Sequence, residues 1–184
     1  TLFYHDRIML NYIDDIEKFI DLLKNDFFPK NFSMDCFEAS ITELEKREKS
    51  QQTCVTISDF IRDNYQTTRL FHVLNHPTAA LIQELSNRIL LYIGMHPQIN
   101  HKITISPLDK WQFPIYQSHY NNLGLQFNNE LIYYWAGNKY SIEDFFKLRK
   151  IQYNSIDMDF AKKEIFYFKK PNIRGWDLAA ELQF

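Results

Sequence analysis

Apolar positions recur at helical spacing through most of this chain. Tyr12, Ile16, Phe19, Ile20 and Leu23 share one face of a helix over residues 12–24, with Asp14, Asp15, Glu17, Lys18 and Asp21 mostly elsewhere. Phe27-Phe28-Pro29 ends it. Ser33 suits the N-cap of a second helix over 34–50, whose stripe is Phe37, Ile41 and Leu44. Its tail, 43–49, is mixed in sign and reads as solvated. The β-branched stretch 53–57 reads as a short strand, and Ser58 as the cap of a short helix over 59–64. A strong helix follows over 77–93, with Leu81, Ile82, Leu85, Ile89, Tyr92 and Ile93 as its core face. Pro77 fits its first turn and Gly94 its end. Residues 96–107 read as a loop or weak strand, 117–123 as a short helix and 131–135 as extended. Ser141 caps a helix over 142–151, with Glu143 and Asp144 in the favoured first turn. Residues 164–168 read as a strand or helix end, and the tail from Arg174 as a helix or vector-derived residues.

The sum is four or five helices and at most a few short strands. The fold class is therefore mainly α, or α+β with a few short strands. One compact domain spans 1–184, with a helical core over about 12–151 and a C-terminal extension over 152–184. The chain does not begin with Met, and it is apolar at once: Leu2, Phe3, Tyr4, Ile8, Met9 and Leu10. That reads as the C-terminal part of a longer protein.

Composition narrows the function classes. Aromatic residues reach 16%, ample core material, while only 4 Gly disfavour a glycine-rich dinucleotide fold. The formal net charge of -2 gives no basic footprint for nucleic acid. No run of 18 apolar residues is present, so no helix is expected to span a membrane. Cys36 and Cys54 read as reduced thiols of a cytoplasmic protein, both inert and packed, although one disulfide between them stays open.

The chemistry concentrates in Arg69-Leu-Phe-His-Val-Leu-Asn-His-Pro-Thr78. His72 and His76 are candidate general bases near neutral pH. Pro77 disfavours helical geometry at His76, which places that histidine in the turn opening the next helix. The first N–H groups of that helix would favour an anion. Asn75 would cap it or position a substrate carbonyl, and Arg69 is a fixed cation for phosphate or carboxylate. By spacing alone, turn and core roles for the two histidines outweigh catalytic ones. His5-Asp6-Arg7 reads as a surface or cap cluster. His96, His101 and His119 lack metal-ligand spacing, so no metal is expected. Tyr133-Tyr134-Trp135 would stack a ring or, more in keeping with its composition, join the core. Lys147, Arg149 and Lys150 read as a solvated helix face.

These residues carry a resemblance. The Arg69–Thr78 stretch resembles the Arg-x-Phe-His-Thr-x-Asn-His-Pro-Thr motif of the WcbI family of capsule polysaccharide biosynthesis proteins, with Val73 where the motif has Thr. The charged stretch 43–48 and the β-branched Val55 and Ile57 precede it as in the family. Trp111-Gln-Phe-Pro-Ile-Tyr116 and Leu123-Gly-Leu125 also resemble the family's downstream part, so the likeness runs over about 4–150. The resemblance implies a bacterial protein that binds coenzyme A or acetyl-CoA and transfers acetyl to a sugar or polysaccharide acceptor. It implies His76, His72 and Asn75 in catalysis, with Arg69 and Thr78 at the cofactor. The family's Gly-Asn-Cys-Gln-like segment has no match in this chain. The rival readings are an esterase or deacetylase acting on an acylated glycan, and a non-catalytic interaction module of a capsule biosynthesis complex. The sequence does not fix the oligomeric state.

Overall fold

The computed structural model describes residues 14–25, 28, 30–73, 76–97 and 108–154. His5-Asp6-Arg7, Tyr12, Asn75, His101, the stretch 164–168 and the tail from Arg174 lie outside the described residues. The described elements are helices α1 (Ile16–Lys24), α2 (Lys30–Ser50), α3 (Ser58–Asn64), α4 (Ala79–Tyr92), α5 (Gln117–Asn122) and α6 (Ile142–Asn154). Two antiparallel hairpins join them: β1 (Phe71–Val73) with β2 (His76–Pro77), and β3 (Ile132–Trp135) with β4 (Asn138–Ser141). The class is mainly helical with a few short strands, as the periodicity predicts. Among the described residues no helix is long and apolar enough to cross a membrane.

Two apolar clusters hold these elements. The larger joins Ile16, Phe19, Ile20 and Leu23 of α1 to Phe28, Phe32, Tyr116, Tyr133 and Ile142, Phe145 and Phe146 of α6. Tyr133 stacks flat on Phe145, with ring centroids 3.8 Å apart. Its buried hydroxyl meets that of Tyr116 at 2.6 Å, which satisfies both polar tips inside apolar surroundings. The Tyr133-Tyr134-Trp135 run is thus anchored in the core through Tyr133. The smaller cluster is Ile41, Ile61, Leu70 and Leu81, flanked by Phe37, Leu44, Ile57 and Phe60.

Helix ends explain several boundaries. Asp15 caps α1 by accepting from the Lys18 N–H at 3.2 Å. Ser141 caps α6: its oxygen accepts from the Asp144 N–H at 3.0 Å, and its hydroxyl donates to the Asp144 carboxylate. Gly94, at φ +77°, closes α4 with bonds from Gly94 N–H to Leu91 C=O and from Met95 N–H to Leu90 C=O. Gly124, at φ +62°, closes α5 in the same way.

Other expectations are corrected. Helix α2 begins at Lys30, so Ser33 lies within it; its buried hydroxyl sits 2.7 Å from His119 Nδ1 instead of capping. Ser58 is the first residue of α3, not its cap. The Glu48 carboxylate fills the capping role from α2, accepting from the N–H groups of Ile57 and Ser58 and from the Ser58 hydroxyl. The stretch 53–57 is irregular, with a bend at 54–55, rather than a strand, and Cys54 within it is exposed. Its β-branched side chains have no neighbouring strand to pair with, and Glu48 sets the path instead. Both cysteines are free thiols; Cys36 packs against the larger cluster, where burial pushes its thiol up from the ordinary value. In α4 the helical period holds, but only Leu81 is buried, while Ile89, Tyr92 and Ile93 are 45–61% exposed. Among the described residues α4 is held near its start by Leu81 in the smaller cluster and further along by Arg88, which donates to the Thr56 carbonyl and the Asp59 carboxylate, while the outer part of its apolar stripe stays exposed.

Phe145→Ala should cost about 3–5 kcal/mol, because the cavity adds to the lost transfer energy. The midpoint of urea unfolding measures it; a loss under about 1 kcal/mol would mean that the ring stack is not central. His119 stacks on Phe28 at 4.3 Å, and burial lowers its pKa from 6.5 to about 4. The unfolded chain therefore binds this proton more readily between pH 6.5 and 4, and stability should fall as pH drops through that window. His119→Phe should flatten this part of the pH–stability curve.

Candidate functional site

The Arg69–Thr78 stretch folds into a hairpin and not into a helix. Pro77 dictates this, since its ring pushes His76 toward extended geometry. Pro77 itself lies in β2, one residue before the Thr78 cap of α4, and not in the helix's first turn. Val73 pairs with His76 and Phe71 with Pro77, with an irregular register between them. The pairing continues past the strands: the Thr78 N–H donates to the Leu70 carbonyl at 2.9 Å. The Thr78 hydroxyl donates to the Arg69 carbonyl, also at 2.9 Å. It is thereby spent on closing the hairpin, and the Thr78 side chain makes no cap bond to α4.

A third segment lies beside β1. The Phe113 N–H donates to the His72 carbonyl at 3.0 Å, while Gln112 and Tyr134 exchange both backbone bonds, at 3.0 and 2.7 Å. Residues 112–113 therefore bridge the two hairpins into one ribbon. The Arg69 guanidinium locks this junction, donating from Nε to the Phe71 carbonyl and from Nη2 to the Phe113 carbonyl. Burial lowers the pKa of Arg69 from its ordinary value. Among the described residues it has no carboxylate partner.

The ribbon sorts its side chains by face. Phe113, Tyr133 and Trp135 pack toward the larger core, and Trp111 meets Trp135 edge-on at 4.6 Å. Gln112 and Tyr134 are bridge partners and share the other face. Gln112 reaches His72 there: its Oε1 lies 3.1 Å from His72 Nδ1. With that oxygen accepting, Nδ1 carries the proton and Nε2 keeps a lone pair. His72 Nε2 is buried and has no hydrogen-bond partner among the described residues; the same holds for His76 Nδ1. Buried ring nitrogens without a partner are uncommon in folded proteins.

Four of the five expected residues are thus in view: His72, His76, Arg69 and Thr78 lie in or beside one hairpin, and Asn75 lies outside the described residues. Gln112 and Tyr134 belong to the same face; each stands in a stretch the sequence singles out, but neither is expected at the site, and the backbone bridge brings them there. Among the described residues no cluster of His, Cys, Asp and Glu could hold a metal ion, and His96 and His119 are apart from the hairpin. Arg149 lies over the Trp135 ring, 5.8 Å from its centroid, and donates to Gln152, within the exposed face of α6.

Residues 1–98 match the sequence profile of the family described as polysaccharide biosynthesis enzyme WcbI. The fold is similar to a solved structure of WcbI, a polysaccharide biosynthesis enzyme, at a TM-score of 0.55 and 23% identity. That structure is described as the native protein without a disulfide bond between coenzyme A and one of its cysteines. The match covers 79% of this chain and 46% of that one, so this chain spans about half the length of the protein it resembles. No curated protein matches.

Arg69→Leu should cost roughly 2–4 kcal/mol, since it leaves the Phe71 and Phe113 carbonyls unpaired at the ribbon's junction. Equilibrium urea unfolding measures it, and wild-type stability in this variant would refute the clamp.

Proposed function

This chain belongs to the WcbI family of polysaccharide biosynthesis enzymes, and from that premise we propose that it binds coenzyme A and takes part in acetyl transfer to a sugar hydroxyl. The observation that carries the reading is the pair of unpartnered ring nitrogens, His72 Nε2 and His76 Nδ1, in the hairpin that opens α4. The residues present fit the cofactor's chemistry. The first turn of α4, which the Thr78 side chain does not cap, and the fixed charge of Arg69 suit an anionic group such as a phosphate. When bound, acetyl-CoA supplies an activated thioester.

Base and orienter follow a familiar logic. Gln112 holds Nδ1 of His72, which leaves the buried Nε2 as the proton acceptor. The acceptor hydroxyl gives its proton to His72 as its oxygen bonds to the acetyl carbon and the C–S bond breaks; the proton then passes to the departing thiolate. His76 lies across the hairpin and steadies the hydroxyl. Asn75, by its residue type, supplies an amide N–H to the developing oxyanion. Arg69 orients the loop through its two carbonyl bonds, and Thr78 closes it. Buried and held by Gln112, His72 is favoured over His76 as the base.

The test is acetyl transfer from acetyl-CoA to a panel of capsular sugars. His72→Ala should lower the rate by about 10²–10⁴, and His76→Ala by less. Gln112→Leu should lower kcat while leaving the fold intact. Equal activity in His72→Ala would remove it as the base. Acetyl release to water with no acceptor present would identify a hydrolase instead.

A further inference from the structure

A pocket of about 290 Å³, open to solvent on one side, lies beside the smaller apolar cluster, walled by α2, α3, β1 and the stretch 115–127. Phe37, Ile41 and Leu44 line one side and Leu123, Leu125 and Phe127 another, with Arg69 in the wall. A cavity of about 150 Å³ holds a benzene molecule, so this one has room for roughly ten non-hydrogen atoms.

The wall has one unusual member. Arg69 is a permanent cation, partly buried, and its described partners are backbone carbonyls only. A carbonyl dipole does not neutralise a charge, and a buried charge without a counter-charge is costly. Arg62 and Arg88 show the contrast: the first holds Glu38 and Glu45, the second Asp59 and Glu84. An apolar chamber with one unmatched cation in its wall is complementary to an amphipathic anion.

We propose that this cavity is a binding site for an aliphatic carboxylate of about eight carbons, its chain among Ile41, Leu44 and Leu123 and its carboxylate on Arg69. The site is separate from the chemistry of His72, but it shares Arg69 with the coenzyme A reading, so octanoate and a cofactor phosphate would compete for that cation. The guanidinium keeps its bonds to Phe71 and Phe113, and the carboxylate takes the N–H groups those carbonyls leave over.

Calorimetric titration of this chain with sodium octanoate tests it, with 1-octanol and acetate as controls. Octanoate should bind one to one and at least 10-fold tighter than either control. Leu44→Trp fills the chamber and should abolish octanoate binding; its circular dichroism and coenzyme A titration, run on the same sample, establish that it is folded. Ser50→Ala, on the far end of α2, should bind as wild type does. No octanoate binding to the folded chain, equal binding of octanol, or undiminished binding in a folded Leu44→Trp would each overturn the proposal.

Discussion

One guanidinium holds the functional part of this molecule together. The hairpin Phe71–Val73/His76–Pro77 is too short to be stable alone, and the segment at 112–113 has few pairing bonds of its own. Arg69 joins them through carbonyls on both, while the Thr78 hydroxyl fastens the hairpin's other end to the Arg69 carbonyl. Because 112–113 also pairs with β3, the restraint extends to Tyr133 and its stack on Phe145. Core packing on one face of the ribbon thereby fixes Gln112 and His72 on the other. Pre-organisation of this kind is what proton transfer requires.

Burial of the charge has two consequences. It makes Arg69 a stiff part of the scaffold instead of a mobile surface cation, and it leaves a positive field without a carboxylate among the described residues. Both suit a site for anionic ligands. They also separate two kinds of arginine in one chain: Arg62 and Arg88 pin α3 to its neighbours through carboxylates, whereas Arg69 holds a junction of backbone carbonyls.

The parts of the fold that follow from local rules were legible in the sequence. The stripes of α1 and α2, the Ser141 cap and the Gly94 stop rest on period and cap chemistry within a few residues. The parts that depend on distant partners were not. Ser33 reads as a cap until His119, 86 positions away, takes its hydroxyl. Ser58 reads as a cap until Glu48 arrives from another helix. Thr53–Ile57 has strand-forming residues but no strand beside it. Within the site, His72, His76, Arg69 and Thr78 stand in one contiguous motif and could be found there. Gln112 and Tyr134 stand in stretches the sequence singles out, but their place beside His72 could not be read, because a backbone bridge brings them there.

The central claim is that these residues themselves contribute a coenzyme A site. Thermal unfolding of this chain with and without coenzyme A tests it most directly. At a ligand concentration of about a hundred times Kd, binding stabilises the folded state by about 2.7 kcal/mol, a Tm shift of several degrees for a chain of this size. The account predicts that shift, and its reduction in Arg69→Leu measured against that variant's own ligand-free Tm. An unchanged Tm at saturating coenzyme A would contradict it.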